Sequence, residues 1–255
     1  AGMGSFTLMP GWIETGDATA LAADPEHPYH HSAAHLATGL GVLDRVTGLE
    51  RIGANAVTAI GRQRPVAFAA GGALHALTSE DRVLVVGIEG WRDNFARLTA
   101  DTLRASGIPA QAVSLAMPHF GGNFDDWSLD FARWLDHPEC RDYLIEEIRT
   151  RLYGETAVAF PAVLGLNAET RRVISEVLGV AIIELPTLPV SVPGRRLFHA
   201  LKAHFQAGGG RLTLGLRASV LELSGGRATG AIFETAAHGR GHIIPADAVI
   251  LATGG

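Results

Sequence analysis

The chain has 255 residues, of which 47% are hydrophobic and 18% are charged, as in ordinary globular proteins. Its formal net charge of -5 and its lack of basic runs argue against nucleic acid or an anionic lipid surface as a partner. The single cysteine, Cys140, excludes an internal disulfide bond and an iron–sulfur cluster held by this chain alone. No apolar run approaches the roughly 20 residues that span a bilayer, so we expect a protein of the reducing cytoplasm without a membrane span.

The first third of the chain predicts a loop, a helix and some β structure. Residues 1–17 are rich in glycine and short of charge, which indicates a loop whose backbone can approach a ligand closely. Leucines at helical spacing then predict a helix that Ser32 caps and that runs to about Val46, ending before Gly48. Short apolar pieces over residues 55–78 predict irregular β structure, to which we assign no chemistry.

From residue 82 to residue 187, apolar runs of strand length alternate with amphipathic segments of helix length. Two parallel strands must be joined by a crossover of a dozen or more residues, which the helical segments provide. The alternation therefore predicts an α/β domain with a mostly parallel, Rossmann-like sheet. The predicted strands cover 82–88, 110–116, 156–165 and 180–185, and the predicted helices cover 91–107, 127–136, 139–152 and 168–178.

After residue 190 the pattern changes to one helix, over 195–206, followed by short strands. Gly225 and Gly226 lie between two apolar runs, so they predict the turn of a hairpin in an antiparallel β-meander. The apolar residues Val249–Ala252 predict a final buried strand that leads into a glycine turn. The predicted strands of this part cover 211–215, 219–224, 227–236, 242–246 and 247–255.

Two patterns could bind an anion or a metal. In VVGIEGW, at 85–91, a strand leads through two glycines towards a predicted helix, as in phosphate-binding turns. Glu89 would repel an anion and the third glycine of the dinucleotide fingerprint is missing, so we favour a tight strand-to-helix turn. His31 and His35 have the spacing of metal ligands on a helix, but no H-E-x-x-H pattern accompanies them. We therefore favour a partly solvated helix face and predict no metal site.

Three other polar residues are candidates for substrate or cofactor contacts. His119 stands beside two glycines in a predicted loop, and we keep it as a candidate proton donor or substrate contact. Arg195 and Arg196 open a predicted helix and could hold a phosphate or the carboxamide region of a flavin through paired hydrogen bonds, although we favour an ordinary surface pair. No residue is assigned as the catalytic base.

The order of elements from residue 195 to Gly255 resembles the second half of the FAD-binding domain of two-dinucleotide-domain flavoproteins; a plain buried strand with a glycine turn is the alternative. The resemblance implies that backbone near Val220 meets the adenine. The fingerprint G-x-G-x-x-G is absent, and AGMGS at the start resembles the glycine and serine loop that passes the flavin, or else is an N-terminal tail. The implied cofactor-binding residues are Gly2, Gly4, Ser5, Val220, Thr253, Gly254 and Gly255.

Four motifs remain: GSFTLMPGWIE at 4–14, HPY at 27–29, VLVVGIEGW at 83–91 and LPTLPVSVPGRRL at 185–197. Together they resemble the family formed by the B subunit of anaerobic glycerol-3-phosphate dehydrogenase, and the proline-rich stretch is the most specific of them. The resemblance implies a flavoprotein, with FAD or FMN, that oxidises sn-glycerol 3-phosphate to dihydroxyacetone phosphate by hydride transfer to the flavin. It also implies a catalytic flavoprotein sister subunit and an iron–sulfur membrane-anchoring subunit that passes electrons towards quinone.

The chain departs from that family by lacking the N-terminal G-x-G-x-x-G and a C-terminal region, and Val190 stands where the family has a second proline. We therefore expect a central fragment of a cytoplasmic flavoprotein, held at the inner face of the plasma membrane through its partner subunits. The expected domains are an incomplete FAD-binding domain over 1–20 and 190–255 and an inserted α/β domain over 21–189. The alternatives are a fumarate-reductase-like flavoprotein with another substrate and a non-catalytic scaffold subunit.

Overall fold

The computed structural model describes residues 25–26, 28–70, 77–91, 94–117, 128–188, 190–235 and 241–251. These residues form a four-stranded parallel sheet, a two-stranded hairpin, a three-stranded antiparallel sheet and six helices. The predicted class, α/β with a parallel sheet and an antiparallel meander, is confirmed. The chain divides into two compact units, one that ends at Leu201 and one that begins at Lys202.

In its described residues, the first unit contains helix α1 (Pro28–Thr47), followed by a hairpin of strands β1 (Leu49–Val57) and β2 (Gln63–Ala70). The helix starts before the predicted cap, Ser32, because a proline is well tolerated in the first turn of a helix. The two strands pair antiparallel, with a register shift between Arg51 and Ala54, where the sequence predicts irregular β structure. Gly61, at a φ of 71°, reverses the chain between the two strands.

The centre of the first unit is a parallel sheet of strands β3 (Val83–Ile88), β4 (Ala110–Leu115), β5 (Ala157–Pro161) and β6 (Ala181–Leu185). The strand order is β4-β3-β5-β6, and each neighbouring pair is parallel. Strands β3 and β5 are buried along their whole length, as expected for apolar runs in a sheet that helices cover on both faces.

The remaining helices are α2 (Ala96–Ala105), α3 (Ser128–Asp136), α4 (Pro138–Arg149), α5 (Glu169–Leu178) and α6 (Val192–Ala207). Helix α2 packs on one face of the sheet, and helices α3, α4 and α5 pack on the other. This arrangement is the doubly wound form of an α/β fold. None of the described helices has the length and apolar character needed to cross a membrane.

Two helices begin at positions that differ from the predictions. Helix α2 starts at Ala96 instead of residue 91, because a turn with Gly90 at a φ of 81° follows β3 first. Helix α6 starts at Val192 instead of residue 195. Its first turn is stabilised because the Gly194 amide donates to the Ser191 hydroxyl at 3.0 Å, an N-terminal cap that the predicted start does not include.

The second unit contains an antiparallel meander of strands β7 (Leu216–Ser224), β8 (Arg227–Thr235) and β9 (His242–Pro245), in the order β7-β8-β9. Gly225 and Gly226 form the two-residue turn between β7 and β8, with φ angles of 57° and 79°. Positive φ at both central residues is the geometry that glycine favours in such hairpins. The predicted hairpin is confirmed.

Two predicted strands of this unit are wrong. Residues 211–214 form no strand, because Gly215 at a φ of 80° interrupts the extended backbone and β7 begins only after it. Residues 247–251 form no strand either, and Ile250 is 91% exposed. A strand needs a neighbour that pairs with its backbone, and within the described residues none pairs with this segment. The rest of that predicted strand, residues 252–255, lies outside the described residues.

Candidate functional site

The carboxyl edge of the parallel sheet is the candidate functional site of the first unit. The chain places β4 on one side of β3 and later places β5 on the other side. Loops that follow the two inner strands of such a sheet diverge, and ligands bind in the crevice beyond the carboxyl ends of these strands. In this protein that switch point lies beyond Ile88 and Pro161, the last residues of β3 and β5.

The segment that follows β5, residues 162–168, is called here the β5–α5 loop. Its first residues are as buried as the strand before them. The Ala162 amide donates to the Leu185 carbonyl at 2.8 Å, which fixes the loop to the end of β6. The Gly165 amide then donates to the Val163 carbonyl at 2.8 Å, which closes a narrow turn. The loop therefore has a defined backbone path at the carboxyl edge.

A buried ion pair between Glu184 and Arg196 holds one side of this loop. The side chains are 1% and 10% exposed, respectively, and the guanidinium group donates to both carboxylate oxygens at 2.7 and 2.9 Å. Arg196 also donates to the Leu164 carbonyl at 2.9 Å and to the Gly165 carbonyl at 2.8 Å. One planar guanidinium group thus joins strand β6, helix α6 and the loop, a use for which the fixed fork of arginine is suited.

Asp136, the last residue of α3, holds the other side of the loop. Its carboxylate accepts hydrogen bonds from the Leu166 amide at 3.0 Å, the Asn167 amide at 3.1 Å and the Thr170 hydroxyl at 2.9 Å. Gly165 is at a φ of 82°, and a Cβ atom there would lie 2.6 Å from the Cβ atom of Thr170. The close approach of loop and helices therefore requires glycine at this position.

The turn of the β1–β2 hairpin forms hydrogen bonds at the carboxyl edge of the sheet, to the residue before α2 and to the residue after β6. The Phe95 amide donates to the Ala59 carbonyl at 2.9 Å, and the Ala59 amide donates to the Pro186 carbonyl at 2.8 Å. The Thr99 hydroxyl donates to the Thr58 carbonyl at 3.2 Å. The amide of Phe95, the N-cap residue of α2, is therefore bound by the hairpin. Helix α2 begins only at Ala96, so Gly87 and Gly90 do not lead directly into a helix start, which supports the interpretation of residues 85–91 as a turn and not a phosphate site.

Two buried polar atoms at the same edge have no hydrogen-bond partner within the described residues: Asn94 Oδ1 and Thr187 Oγ1. Asn94 follows β3, and its side-chain amide donates to the Val86 carbonyl at 3.5 Å. Thr187 follows β6 and is 9% exposed. A buried polar atom without a partner costs about 1–3 kcal/mol. This edge therefore has unused hydrogen-bonding capacity for a water molecule or for a hydroxyl group of a ligand.

The predicted site residues are placed as follows. Val220 lies on β7, pairs with Ile232 of β8 and is 57% exposed. Arg195 is half-buried, and Arg196 belongs to the buried pair with Glu184, so the interpretation of the two arginines as an ordinary surface pair is wrong for Arg196. Its donors bind acceptors of the protein and not a phosphate. The other predicted cofactor residues and His119 lie outside the described residues: Gly2, Gly4, Ser5, Thr253, Gly254 and Gly255.

Six of the seven residues implied as cofactor contacts lie outside the described residues. A flavin dinucleotide needs backbone amides at a helix start for its pyrophosphate, and at α2 the amide of the N-cap residue Phe95 is bound by the hairpin. Val220, the one implied cofactor residue that is described, sits within a paired strand. In the described part of the chain, no group of three or more His, Cys, Asp or Glu side chains could hold a metal ion.

Glu184 and Asp136, the two carboxylates that organise this edge, were not predicted from the sequence. The available signal was the glutamate in VAIIEL, since a charge inside an apolar strand needs a partner when it is buried. Both carboxylates accept hydrogen bonds from protein donors. Their arrangement stabilises the loop, and we assign neither of them as a catalytic base.

Comparison with known proteins identifies similar chains. No protein-family model and no solved structure matches this one. It is similar to curated proteins that are named as the B subunit of anaerobic glycerol-3-phosphate dehydrogenase. The protein from Pectobacterium carotovorum is 40% identical over 149 residues, which are 56% of this chain and 36% of that protein. The protein from Yersinia pestis is 32% identical over 225 residues, which are 81% of this chain and 53% of that protein.

The resemblance drawn from the sequence motifs is thereby confirmed. The chain spans about a third to a half of the length of the curated relatives that it matches.

Proposed function

We propose that this chain acts as part of the B subunit of an anaerobic glycerol-3-phosphate dehydrogenase, an oxidoreductase of several subunits. The observation that carries the proposal is the 32% identity over 225 residues to a protein of that name. The proposed reaction is the oxidation of sn-glycerol 3-phosphate to dihydroxyacetone phosphate. We also propose that electrons reach quinone through an iron–sulfur subunit at the inner face of the plasma membrane; within these 255 residues, Cys140 alone provides too few ligands for a cluster.

The proposed cofactor is a flavin, FAD or FMN. Oxidation of a secondary alcohol to a ketone removes a hydride from carbon and a proton from oxygen, and a bound flavin supplies the acceptor for the hydride. The residues proposed to contact it are those that the sequence implied, within an FAD-binding domain over 1–20 and 190–255. The proposed inserted domain covers 21–189.

The described residues support a role in shaping the carboxyl edge of the sheet. The Glu184–Arg196 pair and Asp136 fix the β5–α5 loop from two sides. Asn94 and Thr187 offer unpaired polar atoms near the hairpin turn. Such atoms suit the hydroxyl groups of a small polyol phosphate, since a site that pairs buried polar atoms discriminates strongly in favour of hydroxylated ligands.

The test uses the native complex isolated from its own cells. We expect a visible flavin absorbance that is bleached by glycerol 3-phosphate and not by succinate, together with reduction of a quinone-like dye. Gly254→Trp in this chain should remove the flavin of this subunit, whereas Gly39→Trp should retain it, because Gly39 has no atom near the position of a Cβ.

Three results would contradict the proposal. Bleaching by succinate alone would favour a fumarate-reductase-like enzyme. Absence of a flavin from this subunit would favour a non-catalytic scaffold. If Gly254→Trp retained the flavin, the last residues of the chain would not form the predicted cofactor site.

A further inference from the structure

Strand β4 has an open side that the proposed function does not use. It is the terminal strand of the parallel sheet, and within the described residues no strand pairs with its outer side. The Val83 amide donates to the Pro109 carbonyl and the Glu89 amide donates to the Leu115 carbonyl, so the odd-numbered residues of β4 bond to β3. The residues that direct their amide and carbonyl groups outwards are therefore Ala110, Ala112 and Ser114.

The first of these outward positions is already covered. The Arg104 guanidinium group donates to the Ala110 carbonyl at 2.6 Å. No hydrogen bond from the described residues reaches the outward groups of Ala112 and Ser114. These two residues therefore offer the hydrogen-bonding spacing of an unpaired strand edge, which is a template for a further strand.

A groove with a volume of about 410 Å³ lies along this edge, between β4 and α2. Arg97, Asp101 and Arg104 line it from one face of the helix, and Ala112 and Ser114 line it from the strand. The small side chains of these strand residues leave space beside the backbone. The groove is therefore open along the backbone groups that remain unpaired.

The charges of the groove favour an acidic occupant. Arg104 forms an ion pair with Asp101, whereas no ion pair or hydrogen bond of Arg97 occurs within the described residues. Among the described residues that line the groove, two arginines and one aspartate sum to a positive charge, on a chain whose formal charge is -5. A second copy of the chain is a poor occupant, because twofold pairing of β4 with itself would place Arg97 of one copy beside Arg104 of the other.

We propose that the β4 edge binds an extended segment of a partner protein that carries carboxylate side chains at alternate positions. The segment adds a fifth strand to the parallel sheet through the outward groups of Ala112 and Ser114. Because side chains alternate along a strand, its carboxylates lie on the α2 side and pair with Arg97 and Arg104. The proposal is independent of the reaction proposed above.

The test is a titration of the isotope-labelled 255-residue chain with a capped heptapeptide of alternating valine and glutamate, followed by NMR. We expect the amide signals of Ala112 and Ser114 to shift with the peptide concentration. Ala112→Pro removes an outward amide, which an edge strand tolerates, and should weaken binding about fivefold. Arg97→Glu should weaken it at least threefold, whereas the matched control Arg149→Glu, on α4, should leave it unchanged.

The melting temperature of each variant shows whether the fold is retained, and Arg97→Glu carries the test alone if Ala112→Pro does not fold. If a peptide of alternating valine and lysine bound as tightly as the valine and glutamate peptide, the inference that the groove prefers carboxylates would be overturned. Shifts confined to other amides, or no shift, would overturn the site. Self-association of the unliganded chain through β4, measured by sedimentation, would overturn the choice of occupant.

Discussion

Replacing Arg196 by leucine tests whether the Glu184–Arg196 pair organises the carboxyl edge. In the variant, Glu184 remains buried with one protein donor, the Leu164 amide at 3.4 Å. The carbonyl groups of Leu164 and Gly165 lose the donors that Arg196 provides. Removing one partner of a buried ion pair costs about 3–5 kcal/mol, mainly because the other charge is left without compensation. We expect the free energy of unfolding to fall by this amount.

The assay is urea denaturation followed by circular dichroism, with two comparison variants. Arg172→Leu removes ion pairs to Glu169 and Glu176 that are largely exposed, so it should lower the free energy of unfolding far less than Arg196→Leu does. Replacing Glu184 and Arg196 together by leucine removes both charges and should give a more stable protein than Arg196→Leu alone. The reasoning is refuted if Arg196→Leu is as mild as Arg172→Leu, or if the double variant is no more stable than the single one.

Three further predictions concern the β5–α5 loop and the thiol. Gly165→Ala should lower the free energy of unfolding by at least about 2 kcal/mol, because it adds both left-handed backbone strain and a steric clash. Gly179→Ala should lower it by about 1 kcal/mol, because no atom crowds its Cβ position. Equal shifts in the melting temperatures of the two variants would contradict the clash. Asp136→Ala should lower the free energy of unfolding, measured by urea denaturation, by about 2 kcal/mol because it leaves two loop amides unpaired. Asp130→Ala, which removes only an exposed ion pair, should lower it by less than about 1 kcal/mol. Burial, and to a smaller extent the adjacent carboxylate of Glu139, raises the pKa of the Cys140 thiol. Its alkylation rate should therefore reach half its maximum at a higher pH than the rate of an unstructured cysteine peptide does. A midpoint at or below that of the peptide would contradict this.

The parallel sheet could be predicted from the sequence because its strands are apolar runs separated by segments of helix length. VLVVGI, over Val83–Ile88, is buried at every position, as such a run requires. Gly107 and Gly179 follow α2 and α5 at φ angles of 82° and 69°, where glycine is expected at the end of a helix. Local pattern and local backbone chemistry agree in these elements, so the prediction succeeds there.

The organisation of the site could not be predicted, because it depends on contacts between elements. A charge in VAIIEL requires a partner, but which partner depends on where α6 begins and how it packs. The cap at Ser191 moves that start ahead of Pro193, which the leucine spacing of the helix does not indicate. Residues 249–251 are apolar and predict a buried strand, but they form none in the structure. Apolar character leads to a buried strand only when a neighbouring strand pairs with the segment.

The backbone bonds of Ala59 have a consequence for the order of folding. They join a hairpin near the start of the first unit to a residue after β6, so they close a loop of more than a hundred residues. Closing so long a loop costs more chain entropy than local pairing, and the bond can form only after β6 has joined the sheet. The hairpin itself can pair early because its contacts are local, whereas its bond to Pro186 forms late, so slow exchange of the Ala59 amide with solvent deuterium identifies the molecules in which assembly is complete.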